Sequence, residues 1–202
     1  ALINYITYGV EEKCWPADIH VLGKDNQRFH AIYWPAMLKS AGYELPKTIL
    51  VHDFISLNGQ KVSKSLGNVI LPTELIGKFG VDGTRYYFLR YGPLTNDIDI
   101  TLEKITETYN GDLANGLGNL VARVAKLCEN SNLQFDGSNH RTVDSEVKKQ
   151  LEEFRFDFAL KHIWEEITRL DQFVNNNKAW EAKGENQRKI LDELVIGIRQ
   201  IA

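Results

Sequence analysis

The segment Asn58–Asn68, N-G-Q-K-V-S-K-S-L-G-N, sets Lys61 and Lys64 beside Ser63 and Ser65 on a stretch fenced by Gly59 and Gly67. It follows directly on the apolar run Ile49–Leu57. These residue types predict a strand that turns at Asn58-Gly59 and hands over to a loop carrying two ammonium groups. An ammonium on a flexible stem acts as a point charge that can follow a moving anion, so the pair suits a polyphosphate. By composition the same string also fits a solvated surface loop. A second candidate is Gly23-Lys24-Asp25. The glycine would let a ligand approach the backbone, and the carboxylate could accept hydrogen bonds from ribose hydroxyls; Asp25 could equally cap the helix that follows. His30 and Trp34 are four residues apart, hence on one face of that helix. They could form a hydrogen-bonding wall and an apolar wall of a small pocket, or be a satisfied histidine beside a core tryptophan.

Strands and helices in alternation must hold these groups. Asp18–Gly23 predicts a short buried strand, Asn26–Ala41 a helix interrupted by Pro35, and Thr48–Leu57 a second strand rich in Ile, Val and Phe. Strand, helix and strand with this crossover length imply a parallel pair in an α/β sheet. Ligands would then sit beyond the carboxyl ends of the strands, where Gly23-Lys24-Asp25 and the lysine segment both fall. From Pro72 the pattern becomes helical. One helix should end near Gly80, a second should run from Asp82 to Gly92-Pro93, and Thr95–Asp99 reads as a polar turn. Apolar residues from Leu102 to Leu127 then step by threes and fours, interrupted by Gly111, Gly116 and Gly118, which implies close helix packing or a break. Ser131–His140 reads as a loop, followed by helical stretches at Ser145–Asn175, jointed near Arg155–Asp157, and from Glu185 onward.

A chain of 202 residues is long enough for one large or two small domains. No apolar run approaches a membrane span, and the first residues lack a secretory pattern. Cys14 and Cys128 lie far apart without metal-ligand spacing and read as reduced, buried thiols of a cytoplasmic protein. The net charge is −3, and residues 93–202 carry 14 Lys and Arg against 19 Asp and Glu. Any RNA contact in that half must use a local patch or base recognition rather than a global field. The opening at Ala1 in mid-pattern, and a close inside an amphipathic stretch, read as a piece of a longer protein.

The run Asp18–Leu38, D-I-H-V-L-G-K-D-N-Q-R-F-H-A-I-Y-W-P-A-M-L, resembles the methionyl-tRNA synthetases, a family of class I aminoacyl-tRNA synthetases, as does the opening Ala1–Tyr5. The lysine segment is similar to the class signature Lys-Met-Ser-Lys-Ser, with Val62 where methionine is usual. The resemblance continues in order through Val51–Phe54, Val81–Arg90, Asp112–Val124 and Ala179–Glu181. It implies α/β followed by all-α: the second half of a Rossmann-like catalytic domain with the lysine loop over 1–71, a connecting helical segment over 72–100, and a truncated α-helical anticodon-binding bundle over 101–202.

Carried over by position, it implies that Leu2, Tyr5, His30 and Trp34 line a methionine pocket. Gly23 and Asp25 would face the adenosine. Lys61, Ser63, Lys64 and Ser65 would meet the triphosphate, with Lys61 and Lys64 catalytic. Asn119, Arg123 and Trp180 would read the anticodon, although Trp180 follows Ala179 where the family usually has proline. The implied ligands are methionine, ATP with Mg²⁺ and tRNA(Met), with no metal site in this chain, no membrane partner, and the N-terminal half of the same polypeptide as a further partner. The family's His-Ile-Gly-His string does not occur here, so this stretch by itself should not form adenylate. Two other readings are a non-catalytic tRNA-binding protein derived from a synthetase, and a class I synthetase of the leucine or valine type.

Overall fold

A computed structural model describes residues 2–62, 69–94, 96–135 and 143–201, with only the backbone of Lys61. The chain divides into two compact units, residues 1–69 with 93–100, and residues 70–92 with 101–202. The expected order, α/β then all-α, holds.

The first unit opens with helix α1, Ile3–Glu11. Strand β1, Ile19–Gly23, pairs in parallel with β2, Thr48–His52, in a register running from Ile19 opposite Thr48 to Gly23 opposite His52. Between them the helical crossover is irregular. A 3₁₀ turn at Lys24–Asn26 and a π-type segment at Phe29–Tyr33 lead into α2, Trp34–Ser40. Pro35 lies in the first turn of α2, so its missing N–H and bulky ring coincide with the change from π to α geometry. Asp25 does not cap this helix, contrary to one of its two sequence readings. It sits inside the 3₁₀ turn, which carries no side-chain cap, and its carboxylate accepts from the Asn26 side chain at 3.3 Å.

The single strand expected over Thr48–Leu57 is two. β2 ends at His52, and β3, Ile55–Leu57, belongs to a second sheet with β4, Gln60–Lys61, and β5, Ile98–Ile100, in the order β4-β3-β5. The break has a local cause. The Asp53 N–H donates to the Pro93 carbonyl at 2.6 Å and the Phe54 N–H to Asp97 Oδ1 at 2.9 Å, so neither can extend the first ladder. β5 also corrects the turn expected at Thr95–Asp99, since Ile98 and Asp99 pair in parallel with Ile55 and Ser56. Asn58 and Gly59, with φ of 53° and 72°, make the turn between β3 and β4, as Asn-Gly in a hairpin should.

β1 alternates cleanly: His20 and Leu22 are buried, while Ile19 and Val21 are exposed. Among the described residues its sheet has two strands, so β1 keeps an open edge beside two exposed β-branched side chains. Such an edge is a template for a second chain. The isolated chain should therefore self-associate through this unit. Val21→Lys, which puts a charge on the edge strand, should shift sedimentation toward monomer; an unchanged profile would place the association elsewhere.

In the second unit, α3, Pro72–Tyr91, begins with proline in its first turn and is interrupted at Gly80 (φ 73°, ψ 172°), the joint expected between two helices. Thr101 caps α4, Leu102–Thr108, accepting from the Lys104 N–H at 3.1 Å. Tyr109–Gly118 is wound as a π-type segment before α5, Asn119–Ser131. Gly116 has a packing reason, since a Cβ on it would stand 2.9 Å from the Trp164 ring, whereas a Cβ on Gly111 would meet nothing within 4 Å. Helices α6, Ser145–Glu152, α7, Phe156–Asn176, and α8, Gly184–Ile201, complete the unit. The joint between α6 and α7 falls at Phe154, with φ 58°, one residue before the expected position. Leu120 and Val124 of α5, Leu170 and Val174 of α7, and Leu191 and Leu194 of α8 are its buried core. No described helix is long and apolar enough to cross a membrane. Cys14 is exposed, contrary to expectation, because it lies in the loop after α1, and Cys128 is half-buried.

Candidate functional site

Tyr5 on α1, His30 in the π-type segment and Trp34 at the start of α2 come together. The Tyr5 hydroxyl lies 3.3 Å from His30 Nε2, and the Tyr5 ring centre stands 5.9 Å from that of His30 and 6.1 Å from that of Trp34. His30 Nδ1 is 3.1 Å from the Asn26 carbonyl. A carbonyl can only accept, so Nδ1 carries the proton and Nε2 is left to accept from the Tyr5 hydroxyl. One backbone carbonyl thus fixes the imidazole tautomer and, through it, the phenol. Trp34 is 2% exposed, and its indole N–H is buried without a hydrogen-bond partner. Leu2 precedes α1 by one residue and is half-buried.

Two further aromatic residues complete the cluster, and the sequence reading missed both. His20 on β1 packs 4.9 Å from Tyr5 and 6.3 Å from His30, and Trp15 stands edge-on to His20 and Trp34. Tyr5, Trp15, His20 and His30 bound a pocket of about 280 Å³. Burial, reinforced by the neighbouring His30, holds His20 below its ordinary pKa. The neutral form of the His20 imidazole is therefore favoured on this wall, which suits an apolar guest.

At the carboxyl ends of β1 and β2 the chain places Gly23, Asp25 and His52 together. A Cβ on Gly23 would meet Asp25 Oδ1 at 3.0 Å and His52 Cε1 at 3.5 Å, so glycine keeps this turn open. Lys24, between them, does not point to a free site. Its ammonium bonds Asp97, lies 3.0 Å from Asp53 and sits over the Phe54 ring at 4.7 Å. Both hydrogen bonds raise the Lys24 pKa, and the same bond with the Phe54 N–H lowers that of Asp97. Lys24 thus ties the end of β1 to the joint between β2 and β3 and to the approach to β5. Lys61 closes β4 immediately after the hairpin. Ser63, Lys64 and Ser65 lie outside the described residues.

In the helical unit Asn119 opens α5, and Arg123 follows one turn later on the same face. Arg123 donates from Nη1 to Asp171 Oδ1 at 2.7 Å and from Nη2 to Asn175 Oδ1 at 2.8 Å, both on α7. Trp180 lies on the turn after α7. It is 55% exposed, with its indole N–H 3.3 Å from Glu181 Oε1, while Ala179 before it is buried. That exposure leaves an indole face open to solvent.

Residues 1–125 match the family described as tRNA synthetases class I (M). The chain belongs to this synthetase family. Its relatives include the methionine–tRNA ligase of Clostridium acetobutylicum, 38% identical over 100% of this chain and 35% of the relative. That of Thermotoga maritima is 38% identical over 89% of this chain and 32% of the relative. Among solved structures, Mycobacterium tuberculosis methionyl-tRNA synthetase in complex with methionyl-adenylate is 32% identical with a TM-score of 0.82. The match covers 99% of this chain and 45% of that one. This synthetase chain therefore spans about a third of the length of the curated relatives it matches, and its sheets and helices correspond to part of a Rossmann-like domain followed by helices.

Proposed function

We propose that this chain supplies the amino-acid pocket, the nucleotide-facing turn, the lysine loop and the anticodon-reading helices of a methionine–tRNA ligase. Residues 1–71 would belong to the catalytic domain, 72–100 to a connecting segment and 101–202 to the anticodon-binding domain. The observation that carries the reading is the meeting of Tyr5, His30 and Trp34, with Tyr5 and His30 joined at 3.3 Å on the wall of one pocket and the buried Trp34 packed against Tyr5 behind it. An unbranched thioether side chain is apolar and polarizable, and it makes favourable contacts with aromatic rings. Leu2 would close the edge of the pocket.

In the activation step the methionine carboxylate oxygen attacks the α-phosphorus of ATP, the bond to the β-phosphate oxygen breaks, and pyrophosphate leaves with the electron pair. ATP enters as its Mg²⁺ complex. Gly23 lets the nucleotide approach the backbone, and Asp25 accepts from the ribose hydroxyls. Ser63 and Ser65 offer hydroxyl donors to phosphate oxygens, while Lys61 and Lys64 meet the charge that builds on the leaving group. A terminal tRNA hydroxyl then attacks the activated carbonyl and releases AMP. Asn119, Arg123 and Trp180 would bind unstacked anticodon bases by hydrogen bonding and stacking, which needs little net positive charge. The His-Ile-Gly-His string of the class is not in these 202 residues, and the isolated chain should form no adenylate.

The test is methionine-dependent pyrophosphate exchange by the full-length protein. Tyr5→Phe removes the hydroxyl that meets His30 and should raise the KM for methionine roughly threefold to tenfold, the effect of one neutral hydrogen bond, with the KM for ATP unchanged. Exchange that depends on leucine or valine instead of methionine would overturn the assignment. Trp180→Ala should weaken charging of tRNA(Met) by about 1–3 kcal/mol while tRNA-independent exchange persists. If both activities fell together, the residue would be structural.

A further inference from the structure

We propose that Asp171, seconded by Asn175, is a positioning residue that presents Arg123 to the anticodon; this rests on the anticodon role proposed above for Arg123. The three side chains close a ring of hydrogen bonds. Arg123 Nη1 donates to Asp171 Oδ1 at 2.7 Å, Arg123 Nη2 donates to Asn175 Oδ1 at 2.8 Å, and Asn175 Nδ2 donates to Asp171 Oδ2 at 3.3 Å. Both carboxylate oxygens are engaged, and the Asn175 amide has a single orientation that satisfies both neighbours. The two terminal nitrogens of the guanidinium are held from the α7 side, so its plane is fixed, while its remaining N–H groups stay available to an incoming acceptor.

The ring stands on a rigid base. Arg123 precedes the buried Val124, Asp171 follows the buried Leu170, and Asn175 follows the buried Val174. The α5 and α7 backbones that carry the three residues are therefore locked by core packing. Asp171 and Asn175 are also one turn apart on α7, which brings them to the same guanidinium. The ion pair itself is half-exposed, with side-chain exposures of 32% and 43%, and a pair of that kind adds little to folding stability. Its effect lies in orientation. A free arginine would lose rotamer freedom on binding a base, whereas one already fixed loses less, so the ring favours tRNA association without touching RNA.

The experiment is steady-state charging of tRNA(Met) by the full-length protein, beside tRNA-independent pyrophosphate exchange and thermal melting. Asp171→Ala should raise the KM for tRNA roughly tenfold, as expected for a lost hydrogen bond to a charged group, with exchange and melting temperature unchanged. Asp171→Asn keeps an acceptor and should recover most of that loss. It should also keep more of the discrimination against a tRNA with a replaced anticodon than Asp171→Ala does. On an Arg123→Ala background, Asp171→Ala should add nothing further, because it acts only through the arginine. If Arg123→Ala raises the KM and Asp171→Ala does not, the positioning role is overturned and the anticodon reading stands. If Arg123→Ala is itself silent, the anticodon reading falls and the positioning role with it. A joint loss of exchange and melting temperature would make Asp171 structural.

Discussion

Replacing Lys64 by alanine in the full-length protein should lower the rate of methionyl-adenylate formation by roughly two to three orders of magnitude, equivalent to about 3–4 kcal/mol of lost transition-state stabilisation. The size follows from when the charge is present. In bound ATP the phosphate charge is already met by Mg²⁺ and solvent, and the new negative charge appears only as the bond to pyrophosphate breaks. A lysine that meets that charge contributes to kcat and hardly to ground-state binding. The KM for methionine should therefore stay within about twofold, since the proposed amino-acid pocket is lined by other residues. Lys64→Arg should recover part of the rate, because it keeps the charge but replaces a compact ammonium with a planar fork. Unchanged pyrophosphate exchange in Lys64→Ala would remove the lysine loop from the mechanism.

The parts of this molecule that the sequence made legible are those decided by neighbours in the chain. Asn58-Gly59 forms its hairpin because both residues accept a positive φ. His30 and Trp34 share a face because they are one turn apart, and β1 and β2 are parallel because a helical crossover joins them. The errors fall where a distant residue decides. Thr48–Leu57 reads as one strand until the Asp53 and Phe54 backbone donors are claimed by Pro93 and Asp97, some forty residues away. The segment holding Asp97 itself read as a turn, because its short strand exists only through pairing with β3. The tie that Lys24 makes was equally hidden, because its carboxylate partners at 53 and 97 are remote in sequence.

The candidate site follows the same division. His30 and Trp34 came from their spacing and Tyr5 from the family resemblance, whereas His20 was hidden by its place in an apolar run, where a buried strand residue is the ordinary reading. Alternation along β1 held the missing signal: His20 and Leu22 share one face, so an imidazole on that face had to be buried against something. The partners of Arg123 were beyond such reasoning, because they lie 48 and 52 residues further along the chain.

Leu170→Ala should destabilise the protein by about 3–5 kcal/mol, the upper part of the range for a large-to-small change in a closely packed core. Leu170 is fully buried among Leu120, Val124, Leu191 and Leu194, where α5, α7 and α8 meet. Its δ carbons also sit where a side chain on Gly197 would be: a Cβ there would stand 2.6 Å from Leu170 Cδ2. The leucine of α7 thus fills the gap that the glycine of α8 leaves open. Gly197→Ala alone should destabilise by about 1–3 kcal/mol through overpacking. The pair of substitutions should then be less harmful than their sum, because the methyl gained on α8 enters space vacated on α7. Denaturant unfolding of the two single variants and the double variant measures this directly, and strict additivity would mean that the two residues do not share the space. The consequence reaches the site through sequence adjacency. Asp171 follows Leu170, so a cavity at 170 loosens the helix segment that orients Arg123, and charging of tRNA should suffer more than tRNA-independent exchange at temperatures below the unfolding transition.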